Sequence, residues 1–314
     1  MLDTTRLIQY RKRQDAIFSV IGIVCTFVGI LTLVALFAVL VKDGLPHLNW
    51  NFLTSYPSRK AANAGILSPL VGTFCLMLVT FFTAVPLGIG AAVYLEEYAS
   101  KNWLTTIIEI NISNLAGVPS IIYGLMALGI LGLFSWLDTL HIFPFKTTLD
   151  RCILVGGITL ALLVLPIIIV TTREAIRAIP KAIREAAYGC GATKWQVIRY
   201  HLLPYSLGGI ATGTIIAMSR AIGETAPLIT IGALTYVAFL PPAPVQSSPP
   251  FVNADWLFSR FTALPIQMYN WVSRPQEEFH KIAATTGLVL IAFTLSMNAA
   301  AMWIRYQMRK KIKW

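Results

Sequence analysis

The stretch "AMSRAIGETAPL", residues 217–228, sets Arg220 and Glu224 four residues apart inside a long apolar run. A charge near the middle of a bilayer costs at least ~2.5–3.5 kcal/mol on the mildest scale. A guanidinium keeps its charge at any working pH and can hold an oxyanion in a two-pronged fork. A carboxylate one helical turn further on can balance it when no anion is present. The pair is either a bridge that locks helices together or a place where an anion passes.

A second polar group, Asn111, Ser113, Asn114, Ser120 and Tyr123, falls in an apolar stretch that also carries Gly117 and Pro119. Asn114, Ser120 and Tyr123 do not share one stripe at 100° per residue. Some could line a path and others could satisfy backbone groups freed by Pro119. Glu96, Glu97 and Glu109 read as solvated helix ends. Arg173 and Arg177 read as topology determinants, with an anion-attracting mouth as the alternative. No Ser/His/Asp set stands out, and "GCGATKW" at 189–195 lacks the consecutive Gly-Lys-Ser/Thr of a P-loop. The four cysteines form no CxxC pair and have no metal-ligand spacing with a histidine. Neither catalysis by this chain nor a cofactor or metal is expected.

The elements that must position these residues are membrane helices. The 314-residue chain is 56% hydrophobic and 12% charged, with a mean hydropathy of +0.68; a soluble domain carries roughly a quarter charged residues. Its apolar residues cluster into blocks of the length, ~20 residues, that crosses ~30 Å of hydrocarbon. Six spans are expected, at roughly 16–41, 66–95, 108–135, 152–172, 205–236 and 283–304. The expected inside segments (1–15, 96–106, 171–204 and 305–314) carry about 16 Lys and Arg, against about 8 in the outside segments 42–65, 136–151 and 237–282. This asymmetry places both termini in the cytoplasm and accounts for the net charge of +11 without a nucleic-acid partner. The expected organisation is a cytoplasmic segment 1–15, a transmembrane domain 16–304 and a basic tail 305–314.

Two connections are more than turns. The outside segment 237–282 begins near "LPPAPVQSSPP", which favours extended backbone, and continues into an aromatic-rich stretch. A short surface helix could form there, with Trp256, Tyr269 and Trp271 as interfacial anchors, and contact with an extracytoplasmic partner is the alternative. The inside segment 171–204 has apolar residues at helical spacing, Ile176, Ile179, Ile183 and Ala186. Pro180 should kink this helix or start a new one, Gly191 permits a sharp turn, and Thr193 offers an N-cap. A helix–turn–helix is expected, with Pro204 at the entry to the fifth span.

Within that segment Glu185-Ala186-Ala187, then Gly191, then Leu203-Pro204 resemble the EAA loop of ABC importer permeases. In that family the loop docks in a groove of a cytoplasmic ATPase, so the resemblance implies ATPase coupling by Glu185, Ala186, Ala187, Gly191, Leu203 and Pro204. His201 departs from the pattern, which usually has an aliphatic residue two before the Leu-Pro. "NISNLAGVPSIIYGL" at 111–125, "AIGETAPL" at 221–228 and "IQMYNWVSRPQEEFH" at 266–280 are similar to the permeases of phosphate-specific ABC importers, and to the PstA type more than the PstC type. The resemblance covers nearly the whole chain from about residue 15. It implies an all-α integral membrane protein of the type I ABC importer permease fold in a bacterial inner membrane. A PstC-like second permease, a PstB-like ATPase dimer and a PstS-like binding protein would be its partners, and inorganic phosphate its substrate. The candidate substrate pathway is then Arg220, Glu224, Asn114, Ser120 and Tyr123. A permease for another oxyanion, sulfate or molybdate, and a sensory or scaffold membrane protein are the rival readings.

Overall fold

The computed structural model describes residues 2–139, 151–244 and 253–310. Most of the expected outside segment 136–151, the "VQSSPPFV" part of the proline-rich stretch and the end of the basic tail lie outside the described residues. The helices are, in chain order, α1 (Leu2–Gly44), α2 (Trp50–Thr54), α3 (Leu67–Val93), α4 (Trp103–Leu115), α5 (Ser120–Thr139), α6 (Ile153–Arg177), α7 (Lys181–Gly189), α8 (Lys194–Val197), α9 (Leu203–Gly223), α10 (Ala226–Thr230), α11 (Leu264–Val272) and α12 (Glu277–Lys310). Among the described residues, five helical runs are long and apolar enough to cross a membrane, or six if the bent pair α4 and α5 forms one span.

At the centre is α6, whose buried faces meet α3 on one side and α9 on the other. Burying Leu160, Val164 and Ile168 at i, i+4 and i+8 gives α6 one apolar stripe, and Leu163 widens it. Helix α12 closes against α9 through polar ties: Ser219 donates to Asn298 Oδ1 at 2.7 Å, and Arg305 donates to Thr212 Oγ1 at 2.8 Å. None of the apolar window of α1 is buried. The described tie holding its C-terminal end is a hydrogen bond from Thr285 Oγ1 to Gly44 O, 2.9 Å.

Two expected spans are broken. The third, expected over 108–135, is split into α4 and α5, which meet at 114°. Pro119 has no N–H to donate and disfavours helix at Val118, and the chain turns there, whereas Pro86 and Pro166 are accommodated inside the continuous α3 and α6. The fifth, expected over 205–236, starts earlier and stops sooner: the helical run covers Lys194–Gly223. Pro227 cannot donate to the Gly223 carbonyl, and the helix ends where its ladder would need that bond.

The connection from 253 onward is also different from expectation. A short helix, α11, does form there, with one face buried and Tyr269 and Val272 exposed on the other. Trp271 is fully buried among Phe52, Phe279 and Ile282, with its ring 6.3 Å from that of Phe52. With its amide oriented to match its neighbours, Gln267 accepts from Trp271 Nε1 at 3.1 Å and donates to Thr235 O at 2.9 Å. Trp271 is therefore a core residue with its one polar atom satisfied, and Trp256 packs partly buried on another apolar cluster. Of the three expected anchors, Tyr269 is the exposed one.

Candidate functional site

Arg220 stands in the last turn of α9, where the free carbonyls of a helix end favour a cation. Glu224 is not on the same helical face, as the expected continuous span had it. It is the extended residue that follows the helix, at φ −79° and ψ 119°, and its N–H still bonds Ala221 O at 3.3 Å. The ion pair bridges a helix end: Arg220 Nε donates to Glu224 Oε1 at 3.2 Å. That is the hydrogen bond Arg220 makes among the described residues, and the Arg220 side chain remains 40% exposed. Its two terminal nitrogens are free of protein acceptors there, which is the half of the guanidinium that can fork onto an oxyanion.

The break after α9 rests on the helix that follows the break after α4. Short α10 packs on α5 at Gly124, where a Cβ would overlap Thr230 Oγ1 and come within 2.7 Å of Pro227 O. Only glycine lets these backbones approach so closely. Tyr123, buried, packs with Ala217, Ala221 and Ile222 and lies within electrostatic reach of Arg220. Its hydroxyl donates to Leu115 O at 2.8 Å, a carbonyl at the 114° break that also accepts from Val118 N–H at 3.1 Å. Ser120 opens α5 and is half-buried. Asn114 is exposed, and it lines a separate cleft of about 470 Å³ with Ser113, Glu109, Val170, Arg173 and Arg177. Four of the five pathway candidates therefore fall into two groups, Tyr123 with the Arg220–Glu224 pair and Asn114 beside Arg173, while Ser120 stands at the start of α5.

At the end of the bundle where α6 finishes, residues 181–197 form the expected helix–turn–helix. Pro180 starts a new helix, α7, and Gly191 takes the left-handed conformation at φ +78°. Thr193 caps α8 in a reciprocal box: its backbone N–H donates to Gln196 Oε1 at 2.7 Å, and Gln196 N–H donates to its Oγ1 at 3.4 Å. Because a new helix begins at Pro180, the apolar phase resets. Ala187, not Ala186, turns inward against Ile179, Val197 and Ile198. Glu185 and Ala186 are exposed, as are Tyr188 and Trp195. Leu203 and Pro204 are half-buried in the first turn of α9. Just before them the chain makes a π-turn over Ile198–Leu202, with Leu203 N–H bonded to Ile198 O. The wider turn accommodates Pro204, which has no N–H for the Tyr200 carbonyl.

The carboxylates expected to be solvated are instead the hub of an ion-pair cluster. A second π-turn, Tyr94–Tyr98, extends α3 and points consecutive residues at different helices. Glu96 meets Arg177 Nε at 2.8 Å and Arg173 Nε at 3.6 Å on α6, while Glu97 meets Arg184 Nη2 at 3.0 Å on α7. Glu109 on α4 meets Arg173 Nη2 at 2.5 Å. The Arg173 side chain is only 8% exposed, so it is a buried cation held by two carboxylates rather than a marker of topology alone. Arg184 also donates to Ile176 O at 3.0 Å, and Lys194 Nζ lies 5.2 Å from the centre of the Tyr98 ring. Helices α3, α4, α6 and α7 and the turn into α8 are thus joined by charge. Sequence spacing gave no sign of this, because the partners lie 64–87 residues apart.

An all-helical bundle with broken inner helices and a short amphipathic hairpin at one end has the type I ABC importer permease fold. The solved structure of the inward-facing MetNI methionine ABC transporter matches 76% of this chain and 94% of its own at a TM-score of 0.54 and 17% identity. The chain belongs to the family of binding-protein-dependent transport system inner membrane components, which it matches over residues 84–314. It is 28% identical over 305 residues to the probable ABC transporter permease protein YqgI of Bacillus subtilis, covering 96% of this chain and 98% of that one. It is 27% identical over 303 residues to the phosphate transport system permease protein PstA of Xylella fastidiosa, covering 94% and 95%.

Proposed function

We propose that this chain is a PstA-like permease subunit of an ATP-driven importer of inorganic phosphate. It would sit in the bacterial inner membrane with both termini cytoplasmic and pair with a PstC-like permease, a PstB-like ATPase dimer and a PstS-like binding protein. The similarity to PstA over 94% of the chain supports the substrate class. The observation that carries the mechanism is Arg220, a cation at a helix break with one hydrogen bond among the described residues and its terminal nitrogens unengaged. Phosphate oxygens would take those nitrogens while Glu224 swings away on its extended backbone, and the pair would close again once the anion has passed. In this reading Glu185 and Ala186 dock on the ATPase, and movement of α7 reaches the membrane helices through Arg184–Glu97 and the Arg173 cluster.

Replacing Arg220 by Gln keeps a polar side chain and removes the charge and the fork. Two charge-assisted hydrogen bonds at ~1.5–3 kcal/mol each correspond to a loss of at least about 100-fold in phosphate uptake. Assembly with the partner subunits should be unchanged. Uptake at the unsubstituted rate in an assembled Arg220→Gln transporter would sink the mechanism, and stimulation of ATP hydrolysis by sulfate or molybdate rather than phosphate would sink the substrate assignment.

A further inference from the structure

Beside the ion-pair cluster lies a second cleft, of about 260 Å³, between the π-turn at 94–98, the start of α4, the end of α6 and the start of α7. Its cationic walls are Lys101, Arg177, Lys181 and Arg184, and its acidic ones are Glu96 and Glu109. Both carboxylates are already engaged, Glu96 by Arg177 and Arg173 and Glu109 by Arg173. Lys101 and Lys181 have no ion-pair partner among the described residues. Arg184 holds Glu97 by one terminal nitrogen, while its buried Nε has no hydrogen-bond acceptor. Lys101 and Thr105 flank the first turn of α4, and Lys181 and Arg184 belong to the first turn of α7, so two positive helix ends border the same cleft.

The surroundings suggest the depth at which this cleft works. Apolar α3 gives way to charge at this level, and Tyr94, Tyr98 and Trp103 stand exposed around the transition. Exposed aromatic side chains at such a boundary mark the headgroup layer of a membrane. The geometry points to an oxyanion site in this cleft, taking a phosphate-type group on Lys101 and Lys181 against the positive ends of α4 and α7, with the Arg184 guanidinium in its wall. Such a group has two sources, the headgroup of an anionic phospholipid and free inorganic phosphate. The site is separate from the Arg220 pair, and it stands whether or not phosphate is the transported substrate.

The test uses the full chain with its co-purifying subunits, in nanodiscs of zwitterionic lipid, and compares it with a Lys101→Gln/Lys181→Gln double variant. An Arg59→Gln/Lys60→Gln variant removes the same charge from exposed residues elsewhere on the chain and serves as the control. Native mass spectrometry reads retention of added short-chain phosphatidylglycerol, and 31P NMR line broadening reads binding of inorganic phosphate. One or both probes should bind the unsubstituted protein. The probe that binds identifies the source, and the double variant should bind it roughly 10–30-fold more weakly. Binding of neither probe would overturn the proposal, and so would an equal loss in the Arg59/Lys60 control or undiminished binding by the double variant.

Discussion

The buried hub makes a quantitative prediction about Glu109. Arg173 is 8% exposed and has two carboxylate partners, Glu109 at 2.5 Å and Glu96 at 3.6 Å, and the second is shared with Arg177. Changing Glu109→Gln leaves a buried guanidinium with half of a competing partner. Two unit charges about 4 Å apart at an effective dielectric of ~20 interact by ~4 kcal/mol. Stranding one partner of a fully buried pair costs ~3–5 kcal/mol. Glu109 is 34% exposed, so water screens it and lowers the expected cost to about 2–3 kcal/mol. Arg173→Met removes the charge and keeps much of the packing, so the loss in the Glu109→Gln/Arg173→Met pair should be well below the sum of the single losses. A double-mutant cycle, read by equilibrium unfolding in mixed micelles, should give a coupling energy of about 1–3 kcal/mol. Additivity within ~0.5 kcal/mol would refute the hub and return Arg173 to a topology signal.

Three further substitutions test other parts of the argument. Gly124→Ala inserts a methyl where α5 meets Pro227 O and Thr230 of α10, and overpacking there should lower stability by about 1–3 kcal/mol, read as a lower melting temperature. Trp271→Ala empties a fully buried site and should cost about 3–5 kcal/mol, whereas Tyr269→Ala, at an exposed position, should stay within ~0.5 kcal/mol. If the two proved equal, the buried assignment of α11 would be wrong. Glu185→Lys reverses an exposed charge on α7 and should cut co-purification of the ATPase at least about tenfold while leaving the melting temperature of the chain unchanged; undiminished co-purification would remove Glu185 from the docking surface.

What the sequence revealed and what it hid follow from the range of the forces involved. Pro180, Gly191 and Thr193 act on their neighbours within a few residues, so the helix–turn–helix could be read from local chemistry. Pro119 and Pro227 act locally too, and both break their helices. Hydropathy alone averaged over them, because the short α10 beyond the second break is as apolar as the span before it. The fate of Trp271 was not local. An aromatic-rich segment suits a membrane interface and a protein core equally well, and the packing of α11 on α12 decides between them. The arginine–glutamate cluster was the least legible part, since Glu96, Glu97 and Glu109 look like ordinary helix ends until folding brings α6 and α7 alongside.

The break after Gly223 changes what the Arg220–Glu224 pair is able to do. Two charges on one continuous helical face would be fixed relative to each other by the helix ladder, and separating them would require side-chain rotation alone or loss of helix. Here Arg220 belongs to α9, and Glu224 belongs to the extended residue beyond it, held to the helix by a bond of 3.3 Å. A change in ψ at Gly223 or in φ at Glu224 would carry the carboxylate away while the hydrogen bonds that build α9 remain. Pro227 keeps the segment from re-joining the helix, and the contact of α10 with α5 at Gly124 gives that motion a second helix to pull on. A static bridge would need none of these features, because an unbroken helix would hold the same two charges more firmly. The arrangement suits the proposed pair that opens and closes during transport, and in that proposal Gly223, Glu224 and Gly124 belong to the gate as much as the arginine itself.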